Sequence, residues 1–96
     1  MGRGEARPRP LVKRYRVELL PSAARALRKL PPDGKRRVQA MLALLADEPR
    51  PPNAKRLTGR PEWRVRSGDY RVIYAIEDDR LLVVVVTLGR RDTVYR

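Results

Sequence analysis

The 96-residue chain contains no cysteine and no histidine. Without cysteine there is no disulfide framework, no thiol nucleophile and no thiolate metal ligand. Without histidine the chain lacks the side chain that most often serves as general base and as zinc ligand. Phenylalanine is also absent and aromatics make up only 5% of the residues, so the core must be aliphatic. The longest apolar run, Leu81–Val86, is six residues, well short of the ~18 that a membrane span needs. The arginines near the N-terminus have no apolar stretch behind them, so no secretory signal is expected. A cytoplasmic protein with no membrane partner is the simplest expectation. Acidic residues are few and scattered, with Asp78 and Asp79 in a turn, and they cannot assemble an oxygen cage; neither a metal nor another cofactor is expected.

Positive charge is what the chain has in excess: 23 Lys and Arg against 11 Asp and Glu, a net charge of +12 and a pI near 11.3. Such a balance favours a polyanionic partner. Lysine occurs only at Lys13, Lys29, Lys35 and Lys55, and arginine supplies the rest. A GC-rich genome would give the same bias, so composition alone does not separate function from codon usage. With 42% hydrophobic residues the chain makes one small domain, expected to bury roughly 60–65% of its unfolded surface.

Residues 1–10 (MGRGEARPRP) carry no periodicity and read as a disordered basic tail, leaving residues 11–96 as the single domain. Residues 11–20 alternate, with Tyr15, Val17 and Leu19 on one side and Arg14, Arg16 and Glu18 on the other, which predicts a strand. Pro21 suits the first turn of a helix and Ser22 can help cap it. Ala23, Leu27 and Leu30 form its inner stripe, and Pro31-Pro32 stops it. Asp33 is the expected N-cap of a second helix, striped by Val38, Met41, Leu42 and Leu45. The two helices read as an αα-hairpin. Pro49–Pro52 ends the second helix, and residues 53–62 form a loop pinned to the core by Leu57.

Trp63–Tyr74 (WRVRSGDYRVIY) is two alternating runs around Ser67-Gly68, a β-hairpin signal. With Ser67 and Gly68 as the turn, the pairs are Arg66 with Asp69, Val65 with Tyr70, Arg64 with Arg71, and Trp63 with Val72. One face then carries Arg64, Arg66, Asp69 and Arg71, and the other Trp63, Val65, Tyr70 and Val72. Two arginines directly opposed destabilise a sheet, so this face calls for an anion. Beyond it, residues 77–80 (EDDR) make a polar turn with Glu77 and Arg80 placed to pair. Leu81–Leu88 is apolar on both sides, a central strand covered on both faces, with Arg71 opposite Val86. Gly89 permits a bulge or bend, and residues 90–95 resume alternation as a last strand. The order is βααββββ, an α+β fold: a mostly antiparallel β-sheet with the N-terminal helical hairpin packed on one face.

The candidate site is the cluster Arg64, Arg66 and Arg71, joined by Arg90 or Arg91 from the last strand if that strand lies beside the central one, with Tyr95 near the same edge. Lys55, Arg56, Arg60 and Arg90 are read as RNA-phosphate contacts. Guanidinium forks suit phosphate. They cannot act as a base near neutrality, whereas a tyrosine near several arginines is shifted toward phenolate. This set fits RNA cleavage in which the RNA's own 2′-hydroxyl attacks, the protein orienting it and holding phosphate charge. Basic sheet faces also serve simple binding, and an RNA-binding module without activity stays open.

The run YRVELLPSAARALRKL, the block DEPRPPNAKRLTGRPEWRVRSGDYRVIYAI and the closing LGRRDTVYR resemble the RelE/ParE superfamily of bacterial toxins from type II toxin–antitoxin systems. The resemblance covers residues 15–95. It implies either of two activities. RelE-like members are ribosome-dependent endoribonucleases that cut mRNA in the decoding site, and ParE-like members inhibit DNA gyrase. The closing GRRDTVYR is similar to the RelE-like end. That similarity implies that Arg71 and Arg91 stabilise the transition state and that Tyr95 orients or deprotonates the 2′-hydroxyl. Arg64 stands where RelE-like members often carry lysine, a better base. The partners implied are a cognate antitoxin that covers the basic face, the ribosome and mRNA.

Overall fold

The structure is a computed structural model describing residues 14–90. The basic tail, Arg91, Tyr95 and the expected last strand beyond Arg90 lie outside the described residues. The elements in order are strand β1 (Arg16–Leu19), helix α1 (Pro21–Lys29), helix α2 (Pro32–Asp47), strand β2 (Lys55–Arg56), strand β3 (Trp63–Ser67), strand β4 (Tyr70–Glu77) and strand β5 (Leu82–Arg90). The five strands form one sheet in the order β1-β5-β4-β3-β2, antiparallel except for the parallel β1–β5 pair.

Alternation along each strand sorts side chains between two faces, and both helices cover the same one. Ala23 of α1 and Val38, Met41 and Leu45 of α2 pack with Val65, Tyr70, Val72, Tyr74, Val83, Val85 and Leu88 of the sheet. Val17 and Leu19 of β1, Leu27 of α1 and Leu30 at its C-cap close its margin, as their spacing predicts. The order βααββββ matches expectation, but its members differ. The expected loop at residues 53–62 supplies the short β2, and β5 runs unbroken through Arg90 rather than stopping at Gly89. Leu57 is half-buried and outside the core cluster. The loop is held instead by backbone bonds from the Leu57 amide to the Glu62 carbonyl and from the Arg60 amide to the Leu57 carbonyl.

Neither expected helix cap forms. Leu20 and Pro31 occupy the N-cap positions, each followed by proline, and no side chain caps either end. A proline at the first helical position has no N–H to satisfy, which lowers the demand for a cap. Ser22 is left exposed, and Asp33, inside the first turn, pairs with Arg36 and Arg37 at 3.5 and 3.6 Å.

Gly34 lies under Tyr70. A Cβ there would come within 2.6 Å of the Tyr70 hydroxyl oxygen and 2.7 Å of its ring. Tyr70 is only 7% exposed and has little room to retreat. Gly34→Ala should therefore lower stability by about 1–2 kcal/mol, because overpacking outweighs the ~1 kcal/mol of helix propensity gained. Thermal unfolding checks this; an unchanged or raised midpoint would show that the contact is slack.

Candidate functional site

The hairpin that carries the arginines turns one residue later than its sequence suggests. The turn residues are Gly68 and Asp69, and the pairs are Ser67 with Tyr70, Arg66 with Arg71, Val65 with Val72, Arg64 with Ile73 and Trp63 with Tyr74. Glycine decides this. Gly68 has φ 59°, and no non-glycine residue in the turn has a positive φ. A two-residue turn with its first central residue left-handed is the type II′ form. A turn at Ser67-Gly68 would force Ser67 into that region, which is costly for a residue with a Cβ. Asp69 thus does not oppose Arg66.

The register moves by two residues, so the faces are preserved while the partners change. Arg64, Arg66 and Arg71 still share the face away from the helices. The directly opposed pair is now Arg66 and Arg71, with Cβ atoms about 5 Å apart, and Arg64 lies on the diagonal at about 7 Å. Across β4, Arg71 opposes Gly89 of β5, not Val86. Two differences between expectation and structure produce this. The β4–β5 connection is a three-residue 3-10 turn (Asp78–Arg80) followed by Leu81 in the left-handed region, longer than two residues. The register also slips between Ile73 and Tyr74, which pair with Thr87 and Val85, so the bulge falls at Val86 rather than Gly89. Glu77 and Arg80 do pair across the turn, at 3.0 Å.

The outer face therefore carries a row Arg66–Arg71–Gly89 and, beside it, a row Lys55–Arg64–Ile73–Thr87. Arg71 is 8% exposed, whereas Arg66 and Lys55 are exposed and Arg64 is intermediate. Gly89 has φ 149°, a conformation open essentially to glycine, and it leaves no side chain beside Arg71 on β5. This face is less open than a simple basic surface. Ile73 and Leu82 are each 2% exposed, while Val84 and Val86 are half-buried, so β5 is covered on both faces only in part.

The other sequence candidates separate. Lys55 joins the arginine face because it opposes Arg64. Arg56 opposes Trp63 and Arg90 opposes Tyr70, so both belong to the helix side of the sheet. Arg60 is in the loop, paired with Glu62 at 3.1 Å. Arg91 and Tyr95 lie outside the described residues. Trp63 and Tyr70 are half-buried and buried, and Tyr74 is fully buried, as structural residues should be.

A clamp invisible in the sequence pattern braces the far end of the hairpin. Arg50 grips Asp78 through both guanidinium nitrogens, at 2.8 and 3.2 Å, and Tyr15 donates its hydroxyl proton to the same carboxylate at 2.6 Å. These bonds raise the pKa of both Tyr15 and Arg50, with the Asp78 carboxylate as the largest cause. The Arg50 and Arg56 guanidiniums each lie 5.5 Å from the centre of the Trp63 ring, within cation–π range. Tyr74 donates its hydroxyl proton to the Pro49 carbonyl at 2.7 Å. Together these contacts fix where β3 begins, and thus where Arg64 sits. Residues 49–52 read only as a helix stop, because a contact across 28 residues (Arg50 to Asp78) or 63 (Tyr15 to Asp78) leaves no local periodicity.

Among the described residues, no helix is long and apolar enough to cross a membrane. The sequence model of the family described as the ParE toxin of type II toxin–antitoxin systems, parDE, matches residues 17–95. The toxin RelE of Mycobacterium tuberculosis is 34% identical over 89 residues, covering 85% of this chain and 87% of its own. The crystal structure of the M. tuberculosis RelBE2 toxin–antitoxin complex contains a chain that superposes with a TM-score of 0.71 at 31% identity, covering 81% of this chain and 99% of that one. The archaeal RelE–RelB complex from Pyrococcus horikoshii OT3 gives a TM-score of 0.71 at 30% identity, over 83% of this chain and 98% of that one. The family match bears the ParE name and the relatives bear the RelE name, which agrees at the level of the superfamily. With helices over one face of the sheet, arginines on the other, and a family match spanning residues 17–95, the chain belongs to the RelE/ParE superfamily of type II toxin–antitoxin toxins.

Proposed function

We propose that this toxin is a RelE-like endoribonuclease that cuts mRNA on the translating ribosome and is held in check by a cognate antitoxin. The observation that carries this reading is the outer-face row in which the nearly buried Arg71 lies between Arg66 and the side-chain-free position at Gly89. Three guanidiniums and the Lys55 ammonium share that face of the sheet, and guanidinium forks match phosphate oxygens.

In the proposed reaction the RNA 2′-hydroxyl loses its proton to a base or to water as its oxygen attacks the adjacent phosphorus. The P–O5′ bond breaks, its electron pair stays on O5′, and O5′ takes up a proton. The products are a 2′,3′-cyclic phosphate and a 5′-hydroxyl. Arg71 and Arg66 hold the charge that builds on the non-bridging oxygens, and Arg64 and Lys55 hold the neighbouring phosphate in register. Arg91 lies two residues beyond Gly89 in sequence and is assigned, by resemblance, to the same charge stabilisation; Tyr95 is assigned to the 2′-hydroxyl. The solved relatives include RelE chains crystallised with RelB, which supports an antitoxin as partner. A cytoplasmic location follows from a ribosomal target.

The test is translation of a defined mRNA with and without the protein. New 5′ ends within the message and arrested synthesis are expected; intact message with uninhibited synthesis at stoichiometric toxin would sink the proposal. RNA binding by the same face should weaken steeply with salt, because each phosphate contact releases about one counterion. An affinity independent of salt between 50 and 200 mM, the range over which phosphate contacts fade, would contradict an arginine–phosphate interface. The ParE name of the matched family favours a second reading, a gyrase-directed toxin. Inhibition of supercoiling that survives combined Arg71→Ala and Tyr95→Ala changes would favour it.

A further inference from the structure

Cleavage by the 2′-oxygen moves a proton at each end of the reacting phosphate. One leaves the 2′-hydroxyl, and one must reach the 5′-oxygen as its bond to phosphorus breaks. The attacking and leaving oxygens lie roughly in line, on opposite sides of phosphorus, so one side chain cannot serve both. Tyr95 is assigned to the 2′-hydroxyl, which leaves the 5′-oxygen in need of a second group. The chain has no histidine, the side chain that most often transfers protons. A guanidinium is not deprotonated in proteins. An alkylammonium is the stronger acid of the two cations by about 2–3 pK units.

The two outer-face rows contain one ammonium, that of Lys55. Of the other lysines among the described residues, Lys29 ends α1 and Lys35 lies in α2. The backbone around Lys55 is tied on both sides. The Ala54 amide donates to the Pro51 carbonyl at 2.9 Å, and the Leu57 amide donates to the Glu62 carbonyl at 2.9 Å. Between these bonds the antiparallel register sets Lys55 directly opposite Arg64, with Cβ atoms about 5 Å apart, and diagonal to Arg66 at about 7–8 Å. The side chain itself is exposed. No ion pair among the described residues involves it, so its proton is not committed to a carboxylate.

Arg64 and Arg66 are two residues apart on β3, about 7 Å along the strand, close to the step between successive phosphates of an extended RNA strand. Arg66 and Arg71 take the cleaved phosphate, and Arg64 with Lys55 takes its neighbour. If that neighbour is the downstream phosphate, the 5′-oxygen lies between the rows, because it links the cleaved phosphorus to the downstream sugar. A flexible four-carbon stem rooted opposite Arg64 carries an ammonium into that space.

We propose that Lys55 is the general acid of the cut, with the downstream nucleotide on the Lys55 side. As the P–O5′ bond breaks, its electron pair goes to O5′ and takes a proton from the Lys55 ammonium. The neutral amine left behind regains a proton from water. This rests on the nuclease reading above and supplies the source of the proton that O5′ takes up.

The test compares wild-type toxin with Lys55→Arg and Lys55→Gln, in single turnover, on ribosomes translating a defined mRNA. The cleaved bond carries either the natural 5′-bridging oxygen or sulfur in its place. A thiolate departs without a proton, so sulfur removes the need for an acid. Both changes fall on an exposed side chain of the short edge strand β2 and should leave the fold intact. With oxygen, both variants should be slower by about 10²-fold or more, since a general acid contributes 10²–10⁴. With sulfur, both should cut within about threefold of wild type. Lys55→Arg keeps the charge and should bind RNA within about threefold of wild type. Lys29→Arg, at the exposed end of α1, should match wild type on both substrates. Wild-type rates for the Lys55 variants on the oxygen substrate overturn the proposal, because the proton then comes from elsewhere. An equal deficit on both substrates also overturns it, because Lys55 then acts by charge or placement alone. A wild-type toxin that cuts neither substrate defeats the nuclease reading, and the role of Lys55 falls with it.

Discussion

Arg71→Ala should lower mRNA cleavage by 10²- to 10³-fold while leaving the protein folded. Arg71 lies at the centre of the charged row, 8% exposed, with Arg66 opposite on β3 and Gly89 opposite on β5. Removing one well-placed donor to a developing oxyanion costs about 10²–10³ in rate. Like charges directly opposed across a strand pair repel and destabilise the sheet, a repulsion that the exposure of Arg66 lets solvent and salt screen. Losing Arg71 relieves part of this repulsion, which offsets the loss of its packed stem. Stability in urea should change by about 1 kcal/mol or less. Arg71→Lys should fall between, because an ammonium keeps the charge but loses the fork. If Arg71→Ala unfolds the domain, the side chain is a structural strut and the charged row is secondary. If cleavage persists at the wild-type rate in a folded Arg71→Ala protein, the transition state is held elsewhere.

The largest stability effect is expected at Tyr74, the biggest fully buried side chain. Tyr74→Ala should cost about 3–5 kcal/mol, a large part of the 5–15 kcal/mol that holds a typical domain together. Tyr74→Phe isolates the hydroxyl. It keeps the ring but removes the bond to the Pro49 carbonyl, a net loss of about 1 kcal/mol near neutral pH. Alkaline pH then reverses the order. Burial pushes the Tyr74 phenol up from 10.0 to about 12, with Arg50 pulling weakly in the other direction. A raised tyrosine pKa means the unfolded chain ionises first. The contribution of Tyr74 is therefore intact below pH 10 and is lost as the pH climbs from 10 to about 12, by about 2–3 kcal/mol in all. Tyr74→Phe has no such proton to lose and should become the more stable protein within that window. Urea unfolding of both proteins across this pH range checks the crossing. Parallel curves would mean that the phenol is not sealed by the α2–β2 connection.

Much of the architecture is legible in the residues, and the places where it is not share a cause. The stripe Val38–Met41–Leu42–Leu45 and the alternation of β1, β3 and β4 report burial directly, since one-sided burial is what creates those periods. Face assignment for Arg64, Arg66 and Arg71 survives even though the turn lies one residue later, because moving a two-residue turn by one residue shifts the register by two and side-chain period is two. Opposition is not so protected. Arg66, not Arg64, faces Arg71, a difference that rests on the φ of one glycine. The β4–β5 register likewise depends on Leu81 adopting a left-handed conformation and on a bulge at Val86, in a run of near-identical valines with nothing to mark either. The Arg50–Asp78 pair is not legible in the sequence, because an ion pair between two connections has no sequence period.

If the arginine row on this sheet assists the RNA's own 2′-hydroxyl, the cut ends carry the chemical signature. A defined mRNA is translated with stoichiometric toxin, and both fragments are analysed at the cleavage point. The expected products are a 5′-hydroxyl on the downstream fragment and a 2′,3′-cyclic phosphate, or its opened phosphate, on the upstream one. Both should disappear with Arg71→Ala. A 5′-phosphate opposite a free 3′-hydroxyl, the signature of attack by water, or a message left intact, would contradict it.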